Sequence, residues 1–88
     1  VLSRQVRLRG MNWLPAPPPL GEGGECQAQV RYRMKARDAD IFATRNGCAR
    51  LEFKDPVSAV TPGQLAVCYR GEEVFASGWI EPETDQNG

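Results

Sequence analysis

Between Glu25 and Lys35 the chain alternates with period two. Cys26, Ala28, Val30, Tyr32 and Met34 fall on one face, and Gln27, Gln29, Arg31, Arg33 and Lys35 fall on the other. That spacing predicts a strand over 25–35 with one face in a core and the other in water. Shorter stretches repeat the pattern. Val6 and Leu8 alternate with Arg7 and Arg9 in a strand over 3–14, interrupted at Gly10, where a bulge is expected. Ile41 to Arg45 and Cys48 to Asp55 flank Asn46-Gly47, the dipeptide most typical of a two-residue hairpin turn. A hairpin is predicted there, its second arm burying Ala49, Leu51 and Phe53. Leu65, Val67 and Tyr69 alternate with Ala66, Cys68 and Arg70 in a further strand. In the last strand Val74, Ala76, Gly78 and Ile80 alternate with Phe75, Ser77 and Trp79. Both of its faces carry apolar residues, which predicts an outer neighbour packed on Phe75 and Trp79.

The connections are equally legible. Pro15-Ala16-Pro17-Pro18-Pro19, followed by Leu20-Gly21-Glu22-Gly23-Gly24, excludes a central strand and a helix interior, because prolines lack a donor and glycines are costly to fix. It is either a proline-stiffened connection between strands or a Pro-x-x-Pro ligand for an SH3-like partner. Asp55-Pro56 is expected to stop the strand before it. In Thr61-Pro62-Gly63-Gln64, Pro62 fixes φ at the first central position and Gly63 supplies the positive φ that a type II turn needs at the second. Arg70-Gly71-Glu72-Glu73 makes one more tight turn, and the polar end beyond Glu81 is a tail. About six short strands without a helical period favour an all-β fold. Their edges are best removed by closing the sheet into a small closed or nearly closed antiparallel barrel. The expected organisation is one barrel domain over 1–81 and a flexible tail over 82–88.

Composition narrows the function classes. Eighty-eight residues suffice for one domain, which buries only about 60 to 65% of the unfolded chain's surface. Lys+Arg and Asp+Glu number eleven each, so the chain is neutral and unlike a strongly basic nucleic-acid binder. A local basic patch remains open. The chain has no His, which removes the commonest general base and the commonest zinc ligand. Cys26, Cys48 and Cys68 form no Cys-x-x-Cys pair and are expected to be small buried hydrophobes in a reducing cytosol, with no metal site. The longest apolar runs fall far short of the roughly 20 residues that cross a bilayer, so no membrane partner is expected. The chain begins at Val1, which suggests a fragment of a longer polypeptide.

Candidate chemistry is sparse. Arg37 shares the parity of Arg31, Arg33 and Lys35, so continued extended geometry would set four cations in a row, roughly 6 to 7 Å apart. Such a ladder can track phosphates, or it can be a solvated face whose cations meet Glu52, Glu72 or Glu73 on neighbouring strands. Asp38 and Asp40 are expected to flank each other at a turn, with no His or nucleophile to serve. No catalytic constellation stands out.

The run from Phe53 through Pro56, Ala59-Val60-Thr61-Pro62-Gly63-Gln64, Val67 and Tyr69 resembles the C-terminal barrel of the tRNA-specific 2-thiouridylases, whose pattern is Phe-x-x-Pro-x-x-Ala-Val-Thr-Pro-Gly-Gln-x-x-Val-x-Tyr. Val30-Arg31-Tyr32-Arg33 resembles that family's Lys-x-Arg-Tyr-Arg strand, and Met11-Asn12-Trp13-Leu14 its Val-Asn-Trp segment. The resemblance spans about residues 3–81. Departures are Phe75-Ala76-Ser77-Gly78 in place of Leu-Gly-Gly-Gly, Cys68 in place of an aromatic, and the proline loop.

This resemblance implies a barrel like those of translation factors and aminomethyltransferases. It implies a cytoplasmic parent enzyme, an ATP-dependent tRNA uridine 2-sulfurtransferase, which adenylates the wobble uridine with ATP and delivers sulfur from a persulfide cysteine. The phosphate loop and catalytic cysteines belong to earlier segments of such an enzyme, so Cys26, Cys48 and Cys68 inherit neither role, and no cofactor is expected in this chain. The implied partners are tRNA and the N-terminal ATP-binding and central domains of the same enzyme. The site residues for RNA are then Arg31, Arg33, Lys35 and Arg37. The alternative is a docking module that packs on a neighbouring domain without touching RNA.

Overall fold

Six strands form where the alternation lies, in a computed structural model that describes residues 2–82. They are β1 (Leu2–Trp13), β2 (Gly23–Gln29), β3 (Arg37–Ala43), β4 (Ala49–Ser58), β5 (Leu65–Arg70) and β6 (Glu73–Ile80). All pairings are antiparallel and the order β1-β4-β3-β2-β5-β6 closes on itself, so the expected all-β barrel is what forms. Closure leaves no sheet edge with unpaired donors for another chain to extend. The tail predicted over 82–88 lies outside the described residues, apart from Pro82.

The interior is filled from every strand. Leu8, Ile41, Leu51, Ile80, Val30 and Cys68 are its largest fully buried side chains, and no described polar or charged side chain is buried. Burying each of the Leu or Ile side chains contributes about 1.5–3 kcal/mol. With a wholly apolar interior, any polar chemistry of the described residues must sit on the outer surface or at the barrel's ends.

The irregularities lie at particular residues. Gly10 has φ +57 where the β1–β6 register shifts between Arg9 and Asn12, the bulge expected from the sequence. Asn46 and Gly47 both have positive φ, and the Cys48 N–H donates to the Arg45 carbonyl at 3.2 Å, closing the predicted hairpin. Gly63 has φ +87, and the Gln64 N–H donates to the Thr61 carbonyl at 3.2 Å, as a type II turn requires.

Four expectations are corrected. Gly23 and Gly24 open β2 instead of ending a loop. A Cβ at Gly23 would overlap the Ile41 carbonyl, so the close approach of β3 needs glycine there. Asp55-Pro56 does not stop β4, which runs on to Ser58; pairing with β1 lapses between Glu52 and Val57, where a missing proline donor costs nothing. Asp38 and Asp40 lie within β3, not at a turn. Phe75 is not on the outer face: Tyr69 pairs with Val74 and Cys68 with Ala76, so Phe75 is the extra residue of a bulge and turns inward against Trp13.

Strand directions place the connections. The segment joining β2 to β3 and the Ala59–Gln64 segment joining β4 to β5 lie together at one end, called here the turn end. The proline segment, the Asn46-Gly47 hairpin and the Gly71-Glu72 turn lie at the opposite, proline end. Both Ala59–Gln64 and the proline segment connect strands that are not neighbours, so each crosses an end of the barrel.

Candidate nucleic-acid interface

The predicted strand over 25–35 ends at Gln29, and this reshapes the candidate site. Val30 and Met34 are both buried, and the chain between them must leave the sheet and return. It does so in a turn: the Met34 N–H donates to the Arg31 carbonyl at 3.3 Å, and Arg33 has φ +66. The four-cation ladder therefore does not exist. Arg31 and Arg33 sit on the turn, Lys35 follows it, and Arg37 begins β3, where it pairs with Ala28.

The turn is tied down from below. The Gln29 side-chain amide donates to the Met34 carbonyl at 2.7 Å, and the Val30 N–H points at the Met34 sulfur at 3.4 Å. The Arg31 guanidinium donates to the Ser58 carbonyl at 2.7 Å, across the turn end to the last residue of β4. Arg31 is thus committed to holding the loop. The Arg33 guanidinium lies 5.4 Å from the centroid of the Tyr32 ring. Among the described residues, the Lys35 and Arg37 side chains make no ion pair, while Arg50 pairs with Glu52 at 2.6 Å and Lys54 with Asp40 at 2.8 Å. The Asp40 carboxylate raises the pKa of Lys54. The anticipated pairing of the loop cations with Glu52, Glu72 or Glu73 does not form.

Sequence parity assigned Tyr32 to the core, and the structure reverses this. Its side chain is 83% exposed at the apex of the turn. Period two cannot distinguish a strand from a tight turn that returns after four residues. Residues 30–36 hold no Gly, Pro, Asn or Asp to mark the break.

Both signs of charge occur at each end of the barrel, with Asp38 and Asp55 toward the turn end and Arg45 at the proline end. Arg31, Arg33, Lys35 and Arg37 gather at the turn end, while Glu22, Glu72 and Glu73 lie at the proline end. Arg70, also at the proline end, is occupied: its guanidinium lies 3.9 Å from the Phe75 ring centroid and donates to the carbonyls of Gly23 and Glu25. The turn end therefore offers Arg33, Lys35 and Arg37 without ion pairs among the described residues; at the proline end Arg45 of the hairpin is likewise exposed and without an ion pair.

The three cysteines differ: a hydrogen bond from Cys68 lowers the pKa of the buried Cys26 thiol, and the other two are raised. Cys26 and Cys68 are buried, as expected, and Cys48 is half-buried. The neighbouring Cys26 side chain and complete burial hold the Cys68 thiol far above its ordinary pKa. Burial, and then the Glu81 carboxylate, raise that of Cys48. Neither thiol is activated. Among the described residues no cluster of three potential metal-ligating side chains occurs.

A second surface feature lies on the barrel wall. Trp79 of β6 stands directly opposite Leu65 of β5, 48% and 42% exposed respectively, and its indole covers Gly10 at the β1 bulge.

Comparison with known proteins adds a relationship. Residues 3–80 match the aminomethyltransferase β-barrel domain family. The chain is similar to the tRNA-specific 2-thiouridylase MnmA of Acidithiobacillus ferrooxidans, 42% identical over 76 residues, which cover 86% of this chain and 21% of that protein. It is also 42% identical over 85 residues to the tRNA-specific 2-thiouridylase MnmA of Chlorobium luteolum, covering 92% of this chain and 23% of the relative. The protein of the same name from Gluconobacter oxydans is 42% identical over 77 residues. The chain thus spans about a fifth of the length of the curated relatives it matches.

Proposed function

The chain belongs to the aminomethyltransferase β-barrel domain family, of the type that forms the C-terminal domain of tRNA-specific 2-thiouridylases, and from that premise we propose that it is a non-catalytic, tRNA-holding barrel. Its task is to grip the tRNA while the rest of a longer cytoplasmic enzyme carries out ATP-dependent 2-thiolation of the wobble uridine. ATP and the sulfur donor are assigned to that remainder, and the partners are tRNA and the N-terminal ATP-binding and central domains.

The observation that carries this reading is the turn end itself, where an anchored loop exposes Tyr32 beside Arg33 and is followed in the chain by Lys35 and Arg37. Cations contact the phosphate backbone and set the salt dependence of binding, while an aromatic ring suits an unpaired base. The test is fluorescence anisotropy of a labelled anticodon stem-loop RNA with this chain at several salt concentrations. Binding that weakens with salt, and whose slope falls when Lys35 and Arg37 are changed to Gln, supports the reading. Absence of binding, or an unchanged slope in the folded variant, contradicts it.

Docking on a neighbouring domain is a second reading, favoured by the Trp79 and Leu65 pair on the wall. The pair adjoins the Ala59–Gln64 segment, because Leu65 follows Gln64 and Ile80, next to Trp79, is hydrogen-bonded to Gly63 and Gln64.

A further inference from the structure

We propose that Tyr32 is a base-stacking finger: it takes one unpaired base of the bound RNA onto the ring face not covered by Arg33. This rests on the RNA-holding reading and adds what that reading lacks, namely which structural feature of an RNA the turn end selects. A loop that met only phosphates would need cations alone. This one exposes an aromatic ring at its apex, 83% open to solvent, in a chain whose other tryptophan and phenylalanine side chains are partly or wholly covered, Trp79 excepted.

Three features make Tyr32 a presented group instead of a loose one. First, the turn beneath it is fixed by the Met34 N–H to Arg31 carbonyl bond, the Gln29 side chain on the Met34 carbonyl, and the Arg31 guanidinium on the Ser58 carbonyl. A ring held in place loses little freedom on binding. Second, Arg33 occupies the left-handed region at φ +66, where glycine would be the unstrained choice. The arginine there puts a guanidinium 5.4 Å from the Tyr32 centroid, so a base on the far face would complete a stack of base, ring and cation. Third, Lys35 and Arg37 follow the turn at the same end of the barrel and make no ion pair among the described residues, so they are available to phosphates flanking a splayed base. Stacking on aromatic rings with a cationic track alongside is how single-stranded RNA is held without a duplex.

The consequence is selection for RNA that offers an unstacked base, such as a loop, over a continuous duplex. The test uses this chain with two RNA probes of equal length. One is a stem-loop carrying 2-aminopurine at an unpaired loop position, and the other is a fully paired duplex. Tyr32→Ala is expected to lose about 5- to 150-fold in affinity for the stem-loop, the range of one base–aromatic stack, and to abolish the quenching of 2-aminopurine. Tyr32→Phe should keep both within about twofold, since the hydroxyl is not needed. The salt slope should be the same in all three proteins, because no phosphate contact is removed. Because the ring is exposed, unchanged thermal midpoints will show that the variants fold. If Tyr32→Ala binds the stem-loop as well as the parent chain while Lys35→Gln with Arg37→Gln weakens it, the stacking finger is wrong and the RNA-holding reading survives. Equal affinity for duplex and stem-loop also overturns the finger. If the parent chain binds neither probe, both fail.

Discussion

The Arg31 guanidinium donates to the Ser58 carbonyl at 2.7 Å, joining the loop after β2 to the last residue of β4. The bond links the two stretches most characteristic of the sequence, the Arg31-Tyr32-Arg33 run and the segment that leads into Thr61-Pro62-Gly63-Gln64. Both lie at the turn end. Arg31, one of the four cations assigned to RNA from the sequence, also ties the loop to β4.

Arg31→Gln should therefore loosen the loop without opening the barrel. Amide hydrogen exchange over 31–36 is expected to speed up, while Leu8, Ile41 and Leu51 keep their protection. Lys35→Gln, which removes no internal bond, should leave exchange over 31–36 unchanged. Equal effects from the two substitutions would mean that Arg31 does not anchor the loop.

The two glycines Gly23 and Gly63 should fail for different reasons. At Gly63 a side chain meets open space, and the cost of Gly63→Val is that of φ +87 alone, about 1–3 kcal/mol. At Gly23 even a methyl group would overlap the Ile41 carbonyl, so β2 and β3 must part. Thermal melting should show Gly23→Ala to be the more damaging change despite its smaller side chain. Each kcal/mol lost corresponds to about 4–8 °C for a domain of this size. An unmoved midpoint in Gly63→Val would refute the type II turn.

The two tryptophans should differ in cost. Trp13 is buried against Phe75, with ring centroids 6.4 Å apart, and Trp13→Ala should cost about 3–5 kcal/mol. Trp79→Lys in the isolated chain should cost less, about 1–2 kcal/mol, because only half of the indole is covered. In a longer enzyme carrying this barrel, the docking reading predicts that Trp79→Lys exposes the inter-domain connection to limited proteolysis. A digestion pattern identical to that of the unsubstituted enzyme would remove the wall from consideration as a docking surface.

Alkaline pH should weaken the fold through Cys68. Its folded-state pKa is raised above the unfolded value, by Cys26 and by burial. The folded chain keeps a proton that the unfolded chain releases, so the contribution is fully present below about pH 8.5 and is lost as pH rises above it. The slope approaches about 1.4 kcal/mol per pH unit for one such group. Urea midpoints measured between pH 8 and 10 should fall less steeply in Cys68→Ala. Parallel slopes would show that this thiol is not linked to stability in that range.

Much of this barrel is visible in the sequence. The Asn46-Gly47 hairpin, the Gly10 bulge and the Thr61–Gln64 turn all follow from local backbone chemistry, which the short-range sequence carries. What escaped depended on packing between distant segments. Gly23 enters a strand because the Ile41 backbone needs its space, and Pro56 remains in one because β1 has bulged away. In β5 the small residues Ala66 and Cys68 face inward while the larger Leu65 stays exposed, so side-chain size alone did not tell which face is buried. Tyr32 was misplaced for a related reason. The burial of Val30 and Met34 fixes both ends of the loop, and Tyr32, midway between them, is turned outward. The resemblance identified the family correctly, but the geometry of the candidate site had to come from the fold.

The central claim is that RNA meets the turn end of this barrel, and chemical-shift mapping of the isotope-labelled chain during titration with an anticodon stem-loop tests it most directly. The predicted result is a set of salt-sensitive shifts at the amides of 31–37 and 59–64, with none at Gly21, Glu22, Gly71 or Glu72. Shifts centred on the proline end, or an unperturbed spectrum at saturating RNA, would contradict it.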